Sequence, residues 1–243
     1  MKVDALLAAG AMLYASAAMA DPNDYVHDPA VEPGEREIDF KFGTASRGAD
    51  PAAAAASIGL GYGATDWWFT ELYAKYMRES GAGTTFDAIE WENKFQLTET
   101  GKYPVDLGML LEIEHPKDRA EGWEVTWGPL LQAEWGKVQV NFNPLLRRNY
   151  RSQDLADTHF VYEWQAKYRW RRHFEFGVQG FGDTGKWNDW APHAEQDHRL
   201  GPALFGKVAL GGGYALEYNA GYLIGASPAA PDHTFRLQVE LEY

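Results

Sequence analysis

From Glu35 onward, apolar side chains recur at every second position in segments of about 10 to 13 residues. The clearest run has Phe160, Tyr162, Trp164, Ala166, Tyr168 and Trp170 on one face, with Glu163, Gln165, Lys167 and Arg169 on the other. A period of two indicates a β-strand whose two faces meet different surroundings. The segment length suits a tilted strand that crosses a bilayer. The chain is therefore predicted to be all-β.

Counting these segments gives about 12 strands. An even number is expected for a single antiparallel transmembrane β-barrel with both ends in the periplasm. The predicted strands cover residues 35–45, 54–65, 67–79, 85–98, 103–115, 122–135, 137–147, 158–170, 172–183, 197–207, 213–226 and 233–243.

The connections alternate in length. Those after even-numbered strands are short, as at Gly136-Lys137 and Arg171-Arg172. Those after odd-numbered strands are often longer, as at residues 148–157 and 183–196. Short periplasmic turns and longer extracellular loops are typical of outer-membrane barrels.

Composition agrees with this fold. After the N-terminus there is no apolar run of about 18 residues, so a helical span is not predicted. The mean hydropathy of −0.44 is compatible with a barrel, in which only every second residue is apolar. Aromatic residues make up 14% of the chain, including 10 Trp, and Trp and Tyr favour membrane interfaces. The chain has no cysteine and a net charge of −13, which argues against disulfides and nucleic-acid partners.

The N-terminus predicts export. Residues 1–20 are predicted to be a signal peptide, because their apolar stretch ends in the cleavage pattern Ala18-Met19-Ala20. Residues 21–34 are acidic and rich in proline, and are predicted to be a flexible periplasmic segment before the barrel at 35–243. A tether to a periplasmic partner through Tyr25 and His27 is the alternative for this segment.

Pro129 and Pro202 each fall inside a predicted strand, in matching Gly-Pro-x-Leu sequences. Proline cannot donate to a β-ladder, and a closed barrel has no free edge. We interpret the pair as β-bulges that bend the wall.

The C-terminal alternation resembles the last strand of bacterial outer-membrane proteins. That strand carries the recognition signal for the barrel assembly machinery, which is implied here for Phe235, Leu237, Val239, Leu241 and Tyr243. The rest of the chain resembles porin-like and transporter-like barrels of proteobacteria, some of which are known as hydrocarbon or phenol-pathway outer-membrane proteins. The resemblance implies the fold and an outer-membrane location, with lipid, lipopolysaccharide and the assembly machinery as partners.

The polar face must line the lumen, because charges on the lipid side cost a few kcal/mol each near mid-membrane. The candidate lumen and selectivity residues are Glu71, Lys75, Glu90, Glu92, Lys94, Asp106, Glu112, Glu114, Glu163, Lys167, Arg169, Arg236 and Glu240.

Two functions fit this face. Acidic residues exceed basic ones, which favours a narrow, water-containing channel that prefers cations or weakly basic small solutes. On this view, neutralising Glu90, Glu92 and Glu112 together should reduce cation preference. Alternatively, interior charges pair and close the barrel, leaving a structural or binding scaffold.

Oligomeric state stays open, because lipid-facing aromatics and a subunit interface look alike in sequence.

Catalysis and cofactors have little support. A lipid hydrolase would need a serine activated by a histidine, and only Ser227 and His233 share a segment. No cofactor or metal is predicted, although His193 and His198 in an acidic loop are weak metal candidates. Arg147, Arg148 and Arg151 form either a lipopolysaccharide contact or an ordinary charged rim.

Overall fold

The computed structural model describes residues 22–48, 52–78 and 81–243, so the predicted signal peptide lies outside the described residues. Among the described residues, no helix is long and apolar enough to cross a membrane. The elements are twelve strands: β1 Arg36–Ser46, β2 Ala53–Gly63, β3 Trp68–Arg78, β4 Thr85–Gln96, β5 Asp106–Pro116, β6 Trp123–Trp135, β7 Val138–Tyr150, β8 His159–Arg171, β9 Phe174–Lys186, β10 Asp197–Gly211, β11 Tyr214–Gly225 and β12 His233–Glu242.

Each strand pairs antiparallel with its neighbours in sequence, and β1 pairs with β12 to close the barrel. The closing ladder runs from Glu37 opposite Glu242 to Ser46 opposite His233. Closure gives every strand two partners, which a lipid environment requires because it offers the backbone no water. The predicted fold class is confirmed.

The two ends of the barrel differ in their connections. The end that carries the start of β1 and the end of β12, here called the short-turn end, has hairpin turns at residues 136–137, 172–173 and 212–213. The opposite, long-loop end carries residues 151–158, 187–196 and 226–232. One connection breaks the expected pattern. Residues 97–105 make a long loop at the short-turn end, because β4 ends earlier than predicted and β5 begins later than predicted.

The outer face is apolar and exposed. Leu60 is 64% exposed and Leu72 is 54% exposed, as befits side chains whose solvent is lipid rather than water. Phe235 on β12 and Tyr243, which directly follows the strand, are exposed on this face, whereas Arg236 points inward. Leu237, Val239 and Leu241 belong to the same outward set, and their role in assembly stays a prediction.

The inner face also holds an apolar patch that alternation did not predict. Leu110, Leu130 and Leu145, on β5, β6 and β7, are fully buried and pack together, with Val161 of β8 against them. Each of the three leucines is followed by a second leucine in the sequence, so the pattern does not tell which of the two points inward.

The prediction of β-bulges at Pro129 and Pro202 is wrong. Between the pairs Trp127–Leu146 and Leu131–Phe142, each strand has the same number of residues, so the register does not shift. Pro129 therefore lies opposite Pro144, and neither has an N–H to donate. At Pro202 the pairing of β10 with β11 is likewise interrupted, between the pairs Leu200–Ile224 and Ala203–Gly221. The register on the two sides of this gap is the same. Each proline thus creates a local gap in hydrogen bonding rather than an extra residue.

The leucine patch should contribute measurably to stability. Leu130→Ala removes a fully buried side chain and is expected to lower the free energy of unfolding by roughly 2–5 kcal/mol through lost burial and a residual cavity. Urea unfolding of the refolded protein in lipid vesicles measures this. The matched control is Leu204→Ala on the outer face, which leaves no cavity and should cost less. Equal losses in the two variants would contradict the packing role.

Candidate functional site

The N-terminal segment, residues 22–35, lies inside the barrel. We expected residues 21–34 to be a flexible lead-in, but the described part contacts the inner wall along its length. Gly34 N donates to Gly63 O at 2.8 Å near the short-turn end, and Val31 N donates to Gln96 Oε1 at 2.8 Å. Further in, Asn23 Nδ2 donates to Ser57 Oγ at 3.3 Å. The segment therefore runs from the short-turn end deep into the lumen.

Glycines of the wall make room for this segment. A Cβ atom on Gly43 would lie 2.0 Å from Pro22 O, and one on Gly63 would lie 2.0 Å from Glu32 O. At Gly108 it would lie 2.9 Å from Pro29 Cβ. Any side chain at these positions would collide with the segment, so the wall is shaped to receive its backbone.

Ion pairs and hydrogen bonds fix the segment from several sides. Arg236 Nε donates to Asp24 O at 2.6 Å, and Arg199 pairs with the Asp24 carboxylate at 3.6 Å. Lys94 pairs with Asp28 at 3.7 Å. The side chain of Val26 packs against Phe181 and Leu223 on the inner wall.

At mid-lumen, His27 meets three wall glutamates; we call His27, Glu92, Glu112 and Glu163 the central cluster. His27 Nε2 lies 3.5 Å from Glu92 Oε2 and 3.4 Å from Glu112 Oε1, and His27 Nδ1 lies 3.2 Å from Glu163 Oε2. The imidazole is buried, with 4% of the residue exposed.

Groups around the central cluster hold its members in place. Tyr25 OH donates to Glu92 Oε2 at 2.6 Å, and the Tyr25 ring lies 4.2 Å from that of His27. Asn143 Nδ2 donates both to Glu163 Oε2 at 3.2 Å and to His27 O at 3.1 Å. Lys41 Nζ lies 3.4 Å above the Tyr25 ring, where a cation is attracted to the aromatic face.

A chain of amide side chains covers the wall beside the cluster. Gln165 Nε2 donates to Asn141 Oδ1 at 3.2 Å, and Gln179 Nε2 donates to Gln165 Oε1 at 3.0 Å. Arg236 Nη1 then donates to Gln179 Oε1 at 2.6 Å. These groups are buried and mutually satisfied, so this part of the interior is filled by side chains rather than water.

Two cavities flank the segment, and Tyr25 and His27 border both. The cavity toward the long-loop end measures about 360 Å³ and the one toward the short-turn end about 170 Å³. The acidic side chains of the larger cavity are Asp24, Asp87, Glu90, Glu112, Glu114, Glu121, Glu124, Glu163 and Asp183, against the bases Lys41, Lys75 and Arg147. Those of the smaller cavity are Asp28, Glu32, Glu35, Glu37, Asp39, Glu71, Glu92, Glu217, Glu240 and Glu242, against Lys94, Lys167 and Lys207.

Ten of the thirteen candidate lumen residues line these cavities: Glu71, Glu92, Lys94, Lys167 and Glu240 in the smaller, and Lys75, Glu90, Glu112, Glu114 and Glu163 in the larger. Asp106 is buried and accepts a hydrogen bond from Gly101 N at 2.8 Å. Arg236 is buried in the amide chain. Arg169 lies at the short-turn end, half exposed, and pairs with Glu134.

Sequence reasoning missed several residues of the site. Asp39 and Lys41 fall on the polar side of the β1 alternation, which is the signal that could have identified them. Asp39 accepts hydrogen bonds from Tyr73 OH at 2.8 Å and Gln238 Nε2 at 3.1 Å. For His27 the sequence suggests only a possible tether, because nothing near it in the sequence indicates contact with distant strands.

The loop candidates are engaged elsewhere. His198 uses both ring nitrogens, Nδ1 with Tyr162 OH and Nε2 with Gln196 Oε1, each at 2.6 Å. The His193 ring stacks on His198 at 5.8 Å. In the segment with the serine, Ser227 Oγ donates to Gln196 O at 2.6 Å. His233 Nδ1 instead meets Tyr222 OH at 3.0 Å, so these two residues do not form a nucleophile–base pair.

The arginines at the end of β7 do not form one cluster. Arg147 points into the larger cavity and pairs with Asp183 at 2.7 Å. Arg148 lies near the Tyr150 ring, at 5.4 Å, on the outside. Strand alternation therefore separates the two neighbours, and only Arg148 and Arg151 remain as rim charges.

Comparison with solved structures supports the fold. The COG4313 outer membrane channel from Pseudomonas putida F1 is similar with a TM-score of 0.60 and 12% identity, covering 90% of this chain and 98% of that one. The translocator domain of autotransporter NalP from Neisseria meningitidis has a TM-score of 0.49 and 11% identity, over 87% of this chain and 88% of that one. No protein-family model matches this sequence, and no curated protein matches it either. The similarity to the COG4313 channel shows that the chain has the fold of a bacterial outer-membrane β-barrel, and its apolar exterior suits that membrane.

Docking of the N-terminal segment can be tested through Gly43. In Gly43→Val the added side chain collides with Pro22, so the segment should leave the wall. Because the chain has no cysteine, Val26→Cys provides a unique, buried label site whose reaction with a maleimide should accelerate severalfold in the Gly43→Val background. The control is Gly83→Val, where a Cβ meets nothing within 4 Å. Unchanged labelling in Gly43→Val would contradict the docked position.

Proposed function

We propose that this chain is a narrow outer-membrane channel for small cations or weakly basic solutes, whose bore is set by its own N-terminal segment. The observation that carries the proposal is the pair of acid-rich cavities that meet at Tyr25 and His27. The similar fold of a protein described as an outer membrane channel supports it.

Charge in the cavities supports a preference for cations. Acidic groups outnumber Lys and Arg by nine to three in the larger cavity and by ten to three in the smaller. Some acids are compensated, since Lys75 lies 3.0 Å from Glu90 and 2.6 Å from Glu114. Acidic groups still outnumber the basic ones, and fixed negative charge along a pore attracts cations and repels anions.

The geometry also explains why passage would be restricted. The N-terminal segment and the amide chain occupy much of the lumen, and the remaining volume lies in two compartments of about 360 and 170 Å³. Compartments of this size hold several waters or one small solute. Passage of anything larger would require the segment to move.

Selectivity can be tested on carboxylates that do not contact the segment. The triple variant Glu114→Gln, Glu121→Gln, Glu124→Gln removes three of the nine acidic groups in the larger cavity. The reversal potential of the refolded protein in a planar bilayer under a salt gradient should then move toward zero, because fewer fixed charges favour cations.

The control for this measurement is Glu99→Gln, a carboxylate that lies exposed in a turn outside the lumen and pairs with Lys102 at 2.7 Å. It should leave the reversal potential unchanged. An anion preference in the unaltered protein, or identical potentials in the triple variant, would contradict cation selectivity.

The restricting role of the segment has a separate test. Deleting residues 22–33 should raise single-channel conductance, since it opens the region where Tyr25 and His27 separate the cavities. Retaining Gly34 and Glu35 keeps the hydrogen bonds that join the start of β1 to Gly63. Equal conductance with and without the segment would show that it does not restrict the path.

A closed scaffold is the second candidate. The buried amide chain favours it, because these groups satisfy one another without water. Absence of channel activity with both the full chain and the deletion variant would favour that alternative.

We further propose a non-enzymatic role, in contact with membrane lipid and lipopolysaccharide and assembled through the terminal strand. Oligomeric state stays a prediction to be measured.

A further inference from the structure

We propose that His27, Glu92 and Glu112 bind a divalent first-row metal ion, which joins the N-terminal segment to the barrel wall. The proposal concerns a binding site, and it does not depend on whether the barrel conducts.

The ligand atoms converge on one point. His27 Nε2, a Glu92 carboxylate oxygen and a Glu112 carboxylate oxygen all lie within 4.8 Å of one another. The distances from Nε2 to the two oxygens, 3.5 and 3.4 Å, are close to the separation of about 3.3 Å between ligands at tetrahedral positions around zinc. One imidazole with two carboxylates is a ligand set typical of zinc and its first-row neighbours.

His27 itself points to a missing ligand. Its Nε2 atom is buried and has no hydrogen-bond partner, although the residue is only 4% exposed. A buried polar atom without a partner costs free energy, so such atoms are rare unless a ligand or water satisfies them. Here the atom is directed between two carboxylates.

The placement of the two carboxylates favours a cation between them. Glu92 on β4 and Glu112 on β5 are direct cross-strand partners on the same face of the wall. Like charges placed directly opposite one another in a sheet are destabilising. A metal ion between them converts this repulsion into two favourable contacts.

The surrounding groups match those that orient metal ligands. Glu163 Oε2 lies 3.2 Å from His27 Nδ1 and can accept a hydrogen bond from an Nδ1–H group, which leaves the lone pair on Nε2 for a metal. Asn143 Nδ2 donates a hydrogen bond to Glu163, and Tyr25 OH donates one to Glu92. A histidine ligand that donates its other nitrogen to a carboxylate is the usual arrangement in zinc sites.

The site is reachable from outside. His27 and Glu112 both line the larger cavity, whose acidic lining concentrates divalent cations. The same cavity can supply a water molecule to complete the coordination, as in zinc sites with three protein ligands.

The test is equilibrium dialysis of the refolded, chelator-treated protein against zinc chloride at about pH 8, where fewer protons compete for the ligands. Bound zinc is measured by atomic emission. We expect one tightly bound equivalent in the unaltered protein and its loss in His27→Ala and in Glu112→Gln. In Glu163→Gln, which alters only the orienting group, zinc should bind about 10–100-fold more weakly.

Two controls separate this site from other acidic and histidine-bearing surfaces. Glu114→Gln removes a carboxylate from the same strand and the same cavity, and His193→Ala removes the loop histidine. Both should retain the bound equivalent. Cobalt(II) added to the zinc-free protein should give the visible absorption of a low-coordinate site, absent in His27→Ala.

The proposal is overturned if the unaltered protein holds no stoichiometric zinc, or if His27→Ala and Glu112→Gln hold as much as the control variants. Gel mobility before and after heating verifies that each variant is a folded barrel. Dialysis measures zinc binding, and bilayer recording measures conductance. A barrel that binds zinc but does not conduct would therefore contradict only the channel proposal. A conducting barrel without zinc refutes the metal site alone.

Discussion

The pairing of β1 with β12 is the interaction on which the rest of the structure depends. It joins the two ends of the sheet through ten residue pairs and leaves no strand with a free edge. A wall without edges can expose apolar side chains such as Leu60 and Leu72 to lipid while enclosing charged groups on its other side. The acidic interior exists only because this closure separates it from the hydrocarbon.

The interior that results is dense with polar groups, and their organisation changes along the barrel. Near the short-turn end, carboxylates such as Glu37 and Glu240 gather around a small cavity with Lys207 and Lys94. At mid-height the amides of Gln165 and Gln179 are hydrogen-bonded to each other, and the chain ends on Arg236. The N-terminal segment crosses both regions and contributes the only histidine of the central cluster.

The wall could be predicted from sequence because each strand repeats a two-residue pattern over ten or more positions. The prediction failed locally where two apolar residues are adjacent, as at Leu110-Leu111 and Leu130-Leu131, since either one could point inward. The N-terminal segment carries no period at all, and its acidic, proline-rich sequence is typical of disorder. Its position depends on distant features such as Gly43 and Arg236, whose spatial neighbours no local pattern reveals.

The covalent link between the N-terminal segment and β1 has a consequence for how the molecule assembles. The strand that closes the barrel on one side is continuous with the chain that fills its interior, through Gly34 and Glu35 at the short-turn end. Contacts between β1 and β12 join residues from nearly opposite ends of the chain, and closing so long a loop costs more chain entropy than closing a hairpin. Because the segment continues directly into β1, its docking inside the lumen and the closing ladder constrain the same stretch of chain. Completion of the wall is thereby coupled to occupation of its centre.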